Sequence, residues 1–159
     1  MSPLFIIDTN VLVAGLLTSH ADSPVARILD GMLRASFHFV ISEALLAEYR
    51  QVLLRPKLFK LHRLVAAEID QILTDLALHA IVLPIAPLSA KLLAPDPGDQ
   101  FLWNLLASRD DLVLVTGDKL LLQAGPLQQR VISPADLVVE FSVEARRSSW
   151  VSPAFQDGG

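Results

Sequence analysis

Apolar residues along this chain fall into two patterns. Short apolar runs, rich in β-branched residues, occur at 4–7, 37–41 (interrupted by His38), 80–83, 112–115 and 131–132. Such runs read as short strands buried on both faces. Between them, apolar positions recur every three to four residues, as on one face of a helix. Ser23 and Pro24 open such a stretch, with Val25, Ile28, Leu29 and Met32 on one side, and a helix is predicted to about residue 35. Ser42 caps a second, near 43–54, and Pro56 is expected to stop it. Further helices are predicted at 11–17, 64–79, from Asp96-Pro97 to about 108, at 119–123, and from Ser133-Pro134 to about 141. A proline-rich stretch holding Pro84, Pro87, Pro95 and Pro97 reads as a loop, with room for one helical turn around 89–93. Strands alternating with helices predict an α/β fold with a mostly parallel sheet covered on both faces.

Composition narrows the function classes. With 159 residues, 52% hydrophobic and 19% charged, the chain is expected to be one packed domain over residues 1–145, followed by a loose tail at 146–159. There is no cysteine, which removes disulfides, thiolate nucleophiles and zinc–thiolate sites. No apolar run reaches the ~18 residues of a membrane span. No basic leader precedes the first strand, so a cytoplasmic location is expected. The net charge of -4 argues against coating nucleic acid by bulk charge, yet leaves room for a local basic patch.

The candidate chemistry lies in the acids. Asp8 leaves the first strand, and Asp118 leaves the strand at 112–115 through Thr116 and Gly117. Asp96 and Asp99 begin the helix that precedes that strand. Each has an ordinary use: Asp8 in a turn or cap, Asp96 and Asp99 as caps, Asp118 as a cap on the next helix. Glu48 reads first as a solvated glutamate, but on a helical wheel it lies only ~40° outside the apolar arc of Leu45, Leu46, Tyr49, Val52 and Leu53. Taken together the acids share the carboxyl edge of a parallel sheet, where α/β folds place ligands. Carboxylates ~5 Å apart repel by ~3 kcal/mol per pair at an effective dielectric near 20. A hard divalent cation such as Mg²⁺ or Mn²⁺ relieves that repulsion. His20, His38, His62 and His79 show no ligand spacing, which argues against zinc.

Asp8-Thr9-Asn10 after an apolar strand, Glu48 within Leu45-Leu46-Ala47-Glu48-Tyr49, Asp99 after Asp96-Pro97, and Thr116-Gly117-Asp118 resemble the PIN-domain ribonucleases. Within that family the likeness is greatest to the VapC-like toxins of bacterial toxin–antitoxin pairs, which Leu54-Arg55-Pro56-Lys57-Leu58 also resembles. The resemblance covers about residues 4–140. It implies a three-layer α/β/α sandwich around a central, mostly parallel sheet. It implies Asp8, Glu48, Asp99 and Asp118 as an acidic quartet that holds Mg²⁺ or Mn²⁺ and is catalytic. Asn10 and Thr116 match the family's supporting polar positions, with Asp96 as an accessory ligand. Gly98 departs from the pattern, standing where relatives often carry another acid, so a second metal would be held less firmly.

The function this implies is metal-dependent hydrolysis of RNA phosphodiesters by a toxin that a small antitoxin protein restrains. Arg50, Arg55, Lys57, Lys60 and Arg63, five of the chain's 13 basic residues, are the expected RNA-facing rim. A mean hydropathy of +0.47 suggests apolar surface buried between two copies, hence a homodimer. Two other readings compete. One is a phosphatase resembling the haloacid-dehalogenase family, with Asp8 as nucleophile; Asn10 then stands where an acid is needed. The other is a non-catalytic module that binds RNA or a partner.

Overall fold

A computed structural model of the chain describes residues 3–84, 93–94, 97–123 and 130–141. The apolar runs form five strands: β1 (Leu4–Ile7), β2 (Phe39–Ile41), β3 (Ile81–Val82), β4 (Leu112–Val115) and β5 (Val131–Ile132). They build a single sheet in the order β3-β2-β1-β4-β5, with every pairing parallel. The central strand β1 faces β4 in register from Leu4 opposite Leu112 to Ile7 opposite Val115. Ile6, Ile7, Phe39, Val40, Leu112, Leu114 and Val115 are fully buried, as unbroken apolar strands must be when helices cover both faces. β2 starts two residues later than its apolar run. Phe37 instead places its ring in an aromatic cluster with Phe5, Phe39 and Phe141, at centroid distances of 6.0, 5.9 and 5.5 Å.

The helices are α1 (Thr9–Leu17), α2 (Pro24–Leu33), α3 (Glu43–Leu53), α4 (Pro56–His62), α5 (Ala66–His79), α6 (Gln100–Ala107), α7 (Lys119–Leu122) and α8 over residues 134–141. Serines start three of them. Ser23 accepts the Ala26 amide at 3.3 Å, Ser42 that of Leu45 at 3.1 Å, and Ser133 that of Asp136 at 3.2 Å. α1 and α2 pack closely at Gly15, where a β-carbon would lie 2.7 Å from the Val25 carbonyl oxygen.

α1 begins two residues earlier than the sequence reading, at Thr9, and α5 two later, at Ala66; two further helix starts differ in kind. Pro56 does not merely stop α3: it is the first residue of α4, and Arg55 before it is extended at φ -61, ψ 134, as a residue preceding proline prefers. Asp96-Pro97 does not open an α-helix directly. Pro97–Asp99 forms a 3-10 turn, and α6 begins at Gln100 with Asp99 in the N-cap position. All but the last residue of the expected turn around 89–93, the Asp96 position and the tail at 146–159 lie outside the described residues.

From β1 the chain steps outward to β2 and β3, then returns across β1 to β4 and β5. Right-handed crossovers that step in opposite directions put their helices on opposite faces. The result is a three-layer α/β/α fold. Strand order reverses between β1 and β4, and their carboxyl ends open a crevice there, the place where such folds bind ligands. Among the described residues no helix is long and apolar enough to cross a membrane.

Candidate active site

Asp8 occupies that crevice. β1 delivers it, and its backbone amide still bonds the Val115 carbonyl at 2.9 Å, so its position is tied to the sheet. It is also the N-cap of α1: Oδ1 accepts the Thr9 amide at 2.7 Å. Its other oxygen accepts the Thr116 hydroxyl at 2.7 Å and the Asn10 side-chain amide at 3.3 Å. Capping and site-building are thus one geometry. Burial pushes the Asp8 carboxyl up to about 6; the bonds from Thr116 and Thr9 oppose that rise, and the charges of Asp99 and Glu48 add to it.

A polar lattice joins the two central strand ends. Asn10 donates to the Thr116 hydroxyl at 3.2 Å and accepts the Gly117 amide at 3.0 Å. Thr116, fully buried at the end of β4, also accepts the Asp118 amide at 3.1 Å. Asp118 caps α7 through Oδ1, which takes the Leu120 amide at 2.9 Å. The Asn10 amide therefore spans the gap between strands, a task for a residue that both donates and accepts.

Glu48 arrives from α3. Leu45, Tyr49 and Leu53 are buried, and Glu48 at the margin of that face is half-buried. The Thr9 hydroxyl donates to Glu48 Oε2, which fixes the carboxylate above the β1 exit. The Tyr49 hydroxyl donates to the Ile7 carbonyl, clamping α3 to the last residue of β1. Burial and the charges of Asp8 and Glu48 hold the Tyr49 phenol well above its ordinary range, so it stays a donor. Thr9 was not singled out from the sequence. Its only signal there is a hydroxyl directly after Asp8, which reads equally as an ordinary first residue of a helix.

A cleft of about 510 Å³ gathers Asp8, Glu48, Asp99 and Asp118, together with Thr9, Asn10 and Arg55, against an apolar wall of Val13, Ala14, Leu17 and Val52. The four acids predicted from the sequence thus line one space. Among the described residues, however, no group of three or more Asp, Glu or His side chains stands so as to hold a metal ion by itself. The donor set still suits one kind of ion. Mg²⁺ takes one or two carboxylates and completes its shell with water and substrate phosphate oxygens, not with a protein cage. A buried carboxylate whose proton affinity is raised partly by two neighbouring acids is also one that a cation would relieve.

The basic stretch divides. Arg55 lines the cleft. Lys57, Lys60 and Arg63 are exposed along α4 and at its end. Arg50 lies outside the cleft lining and forks onto Asp70 of α5, at 2.8 and 3.4 Å.

The sequence profile of the PIN domain matches residues 5–120. No curated protein gives a significant match. Among solved structures, the chain is similar to that titled PAE2754 from Pyrobaculum aerophilum, at 21% identity and a TM-score of 0.60, over 89% of this chain and 90% of that one. That likeness speaks to the fold.

Proposed function

Because this chain belongs to the PIN-domain family, whose members are generally nucleases, we propose that it is a divalent-metal-dependent endoribonuclease and the toxin of a toxin–antitoxin pair. The observation that carries this reading is the single cleft in which Asp8, Glu48, Asp99 and Asp118 meet beside Arg55. Asp8 and its acidic neighbours are the residues that would hold Mg²⁺ or Mn²⁺. The ion, when bound, supplies a water of lowered pKa and neutralises charge on the scissile phosphate. Thr116 and Asn10 orient the Asp8 carboxylate, and Thr9 orients that of Glu48, so the acids meet the reaction already positioned. Arg55 offsets their repulsion of the incoming phosphate. Water oxygen bonds phosphorus as the bond to the 3′ oxygen breaks, leaving a 5′-phosphate and a 3′-hydroxyl.

The phosphatase reading loses its support at Asn10. Its amide bonds Asp8 and Thr116 and receives the Gly117 amide, so it fills the place of the required acid with a strut. A small antitoxin entering the acidic cleft and a second copy of the chain are the partners that complete the proposal.

Asp8→Asn and Asp118→Asn, assayed on single-stranded RNA with Mn²⁺, test it. Both variants are expected to lose cleavage by at least about a hundredfold, since each removes a charge from the group that holds the ion. Wild-type rates in both would sink the nuclease reading.

A further inference from the structure

Helix α4 is an oddity of this fold: none of its residues is buried. Its inward side is formed by half-buried Leu58 and His62, one turn apart. His62 anchors it, with Nε2 at 2.8 Å from the Leu53 carbonyl and Nδ1 accepting the Leu64 amide at 2.8 Å. Those two bonds hold the helix against the end of α3 without burying its outer face.

The outer face carries Lys57, Lys60 and Leu61, the last 65% exposed, and a flank beside the inward side carries Arg55, Phe59 and Arg63. Arg55, at the N-cap, reaches the acidic cleft. Phe59, four residues on, falls on the same side of the helix, and its amide bonds the Arg55 carbonyl at 3.0 Å. Arg63, four further, closes the helix with its amide on the Phe59 carbonyl at 2.8 Å. The order out of the cleft is therefore cation, aromatic ring, cation. Phe59 is 46% exposed, and Lys57 and Lys60 are exposed beside it. The ring meets His62 in a T-shaped contact, 6.2 Å between centroids at 90°, which steadies it. Arg63 holds a left-handed backbone, φ 57, a conformation that glycine adopts at lower cost.

We propose that α4 is the track along which single-stranded RNA leaves the cleft, with Phe59 as a stacking platform for an unpaired base and Arg55 and Arg63 on the flanking phosphates. This rests on the nuclease reading and adds Phe59 to that site as a residue that touches the substrate. A duplex cannot use the platform, because its bases already stack on each other. Residues 55–63 hold four cations, Arg55, Lys57, Lys60 and Arg63, and no acid, a balance that suits a phosphate chain.

Binding of a fluorescein-labelled ten-nucleotide uridine RNA and of an RNA duplex, measured by anisotropy in EDTA, separates this from cleavage. The wild-type chain is expected to favour the single strand. Phe59→Ala and Phe59→Leu are each expected to weaken single-strand binding about tenfold, with duplex binding unchanged, and Phe59→Trp to restore it. Phe59→Leu binding the single strand like wild type would overturn the platform, since leucine keeps the apolar surface but not the π-face. So would Phe59 variants that change self-association in sedimentation and leave RNA affinity alone; that result assigns the face to a second copy. Circular dichroism matching wild type shows that the variants are folded. Phe59-dependent binding by a chain that cleaves nothing with Mn²⁺ would uphold this inference and refute the nuclease reading; cleavage indifferent to Phe59 would do the reverse.

Discussion

Asp8 is 5% exposed, and burial together with its acidic neighbours raises its carboxyl from 3.8 to about 6. In the metal-free protein the sign of the consequence is fixed. Below 3.8 the folded and unfolded chains both carry the proton; between 3.8 and about 6 only the folded chain keeps it. Stability from this group is therefore full at low pH and is lost as pH rises through about 6, amounting to about 3 kcal/mol at 1.36 kcal/mol per unit. A cation that replaces the proton restores it. The rise in Tm on adding Mn²⁺ is expected to be larger at pH 7.5 than at pH 5 in wild type, and to be small at both in Asp8→Asn. An equal rise at the two pH values in wild type would mean that Asp8 does not meet the ion. The placement of Asp8 and Asp118 at strand exits was legible because apolar strands end abruptly at polar residues, whereas Asn10 and Thr116 were reached only through the family resemblance. Thr9 was not legible, because its role depends on Glu48, 39 positions away in the chain.

At the scale of elements, α1 links core to site. Its first residues carry Thr9 and Asn10, its N-cap is Asp8, and its later turns pack on α2 through Gly15. A methyl group at Gly15 would meet the Val25 carbonyl oxygen at 2.7 Å and the Leu29 β-carbon at 3.1 Å. Backbone on one side leaves little room to relax. Gly15→Ala is expected to lower unfolding stability by about 1–3 kcal/mol in urea and to reduce RNA cleavage as α1 shifts. An unchanged midpoint would show that the two helices separate freely. Helix α4 shows why some elements escape sequence reading. It spans only seven residues and buries none of them, so the short apolar period of Leu58 and Leu61 is overlooked, and Pro56 then reads as an end when it is a beginning. The strands at 112–115 and 131–132 were legible to the residue, because buried parallel strands allow little else but apolar side chains.

The α/β class follows from the alternation of strands and helices, but the strand order does not. No local pattern says that the chain, after β3, crosses back over β1 to build β4 on its far side. That reversal creates the crevice and sets Asp8 beside Thr116 and Asp118, 108 and 110 positions further along. Sequence distance hides the site, and topology assembles it. How closely the acids approach one another was also beyond the sequence. They share one cleft, yet no three of those described form a closed cage. A metal held there would need water or substrate phosphate to complete its shell. Anomalous scattering at the manganese edge, from a crystal of the full chain soaked in Mn²⁺, tests this most directly. The expected result is a peak in the cleft, coordinated by Asp8 and at least one of Glu48, Asp99 and Asp118. A cleft without manganese, while Mn²⁺ sits elsewhere on the protein, would contradict it.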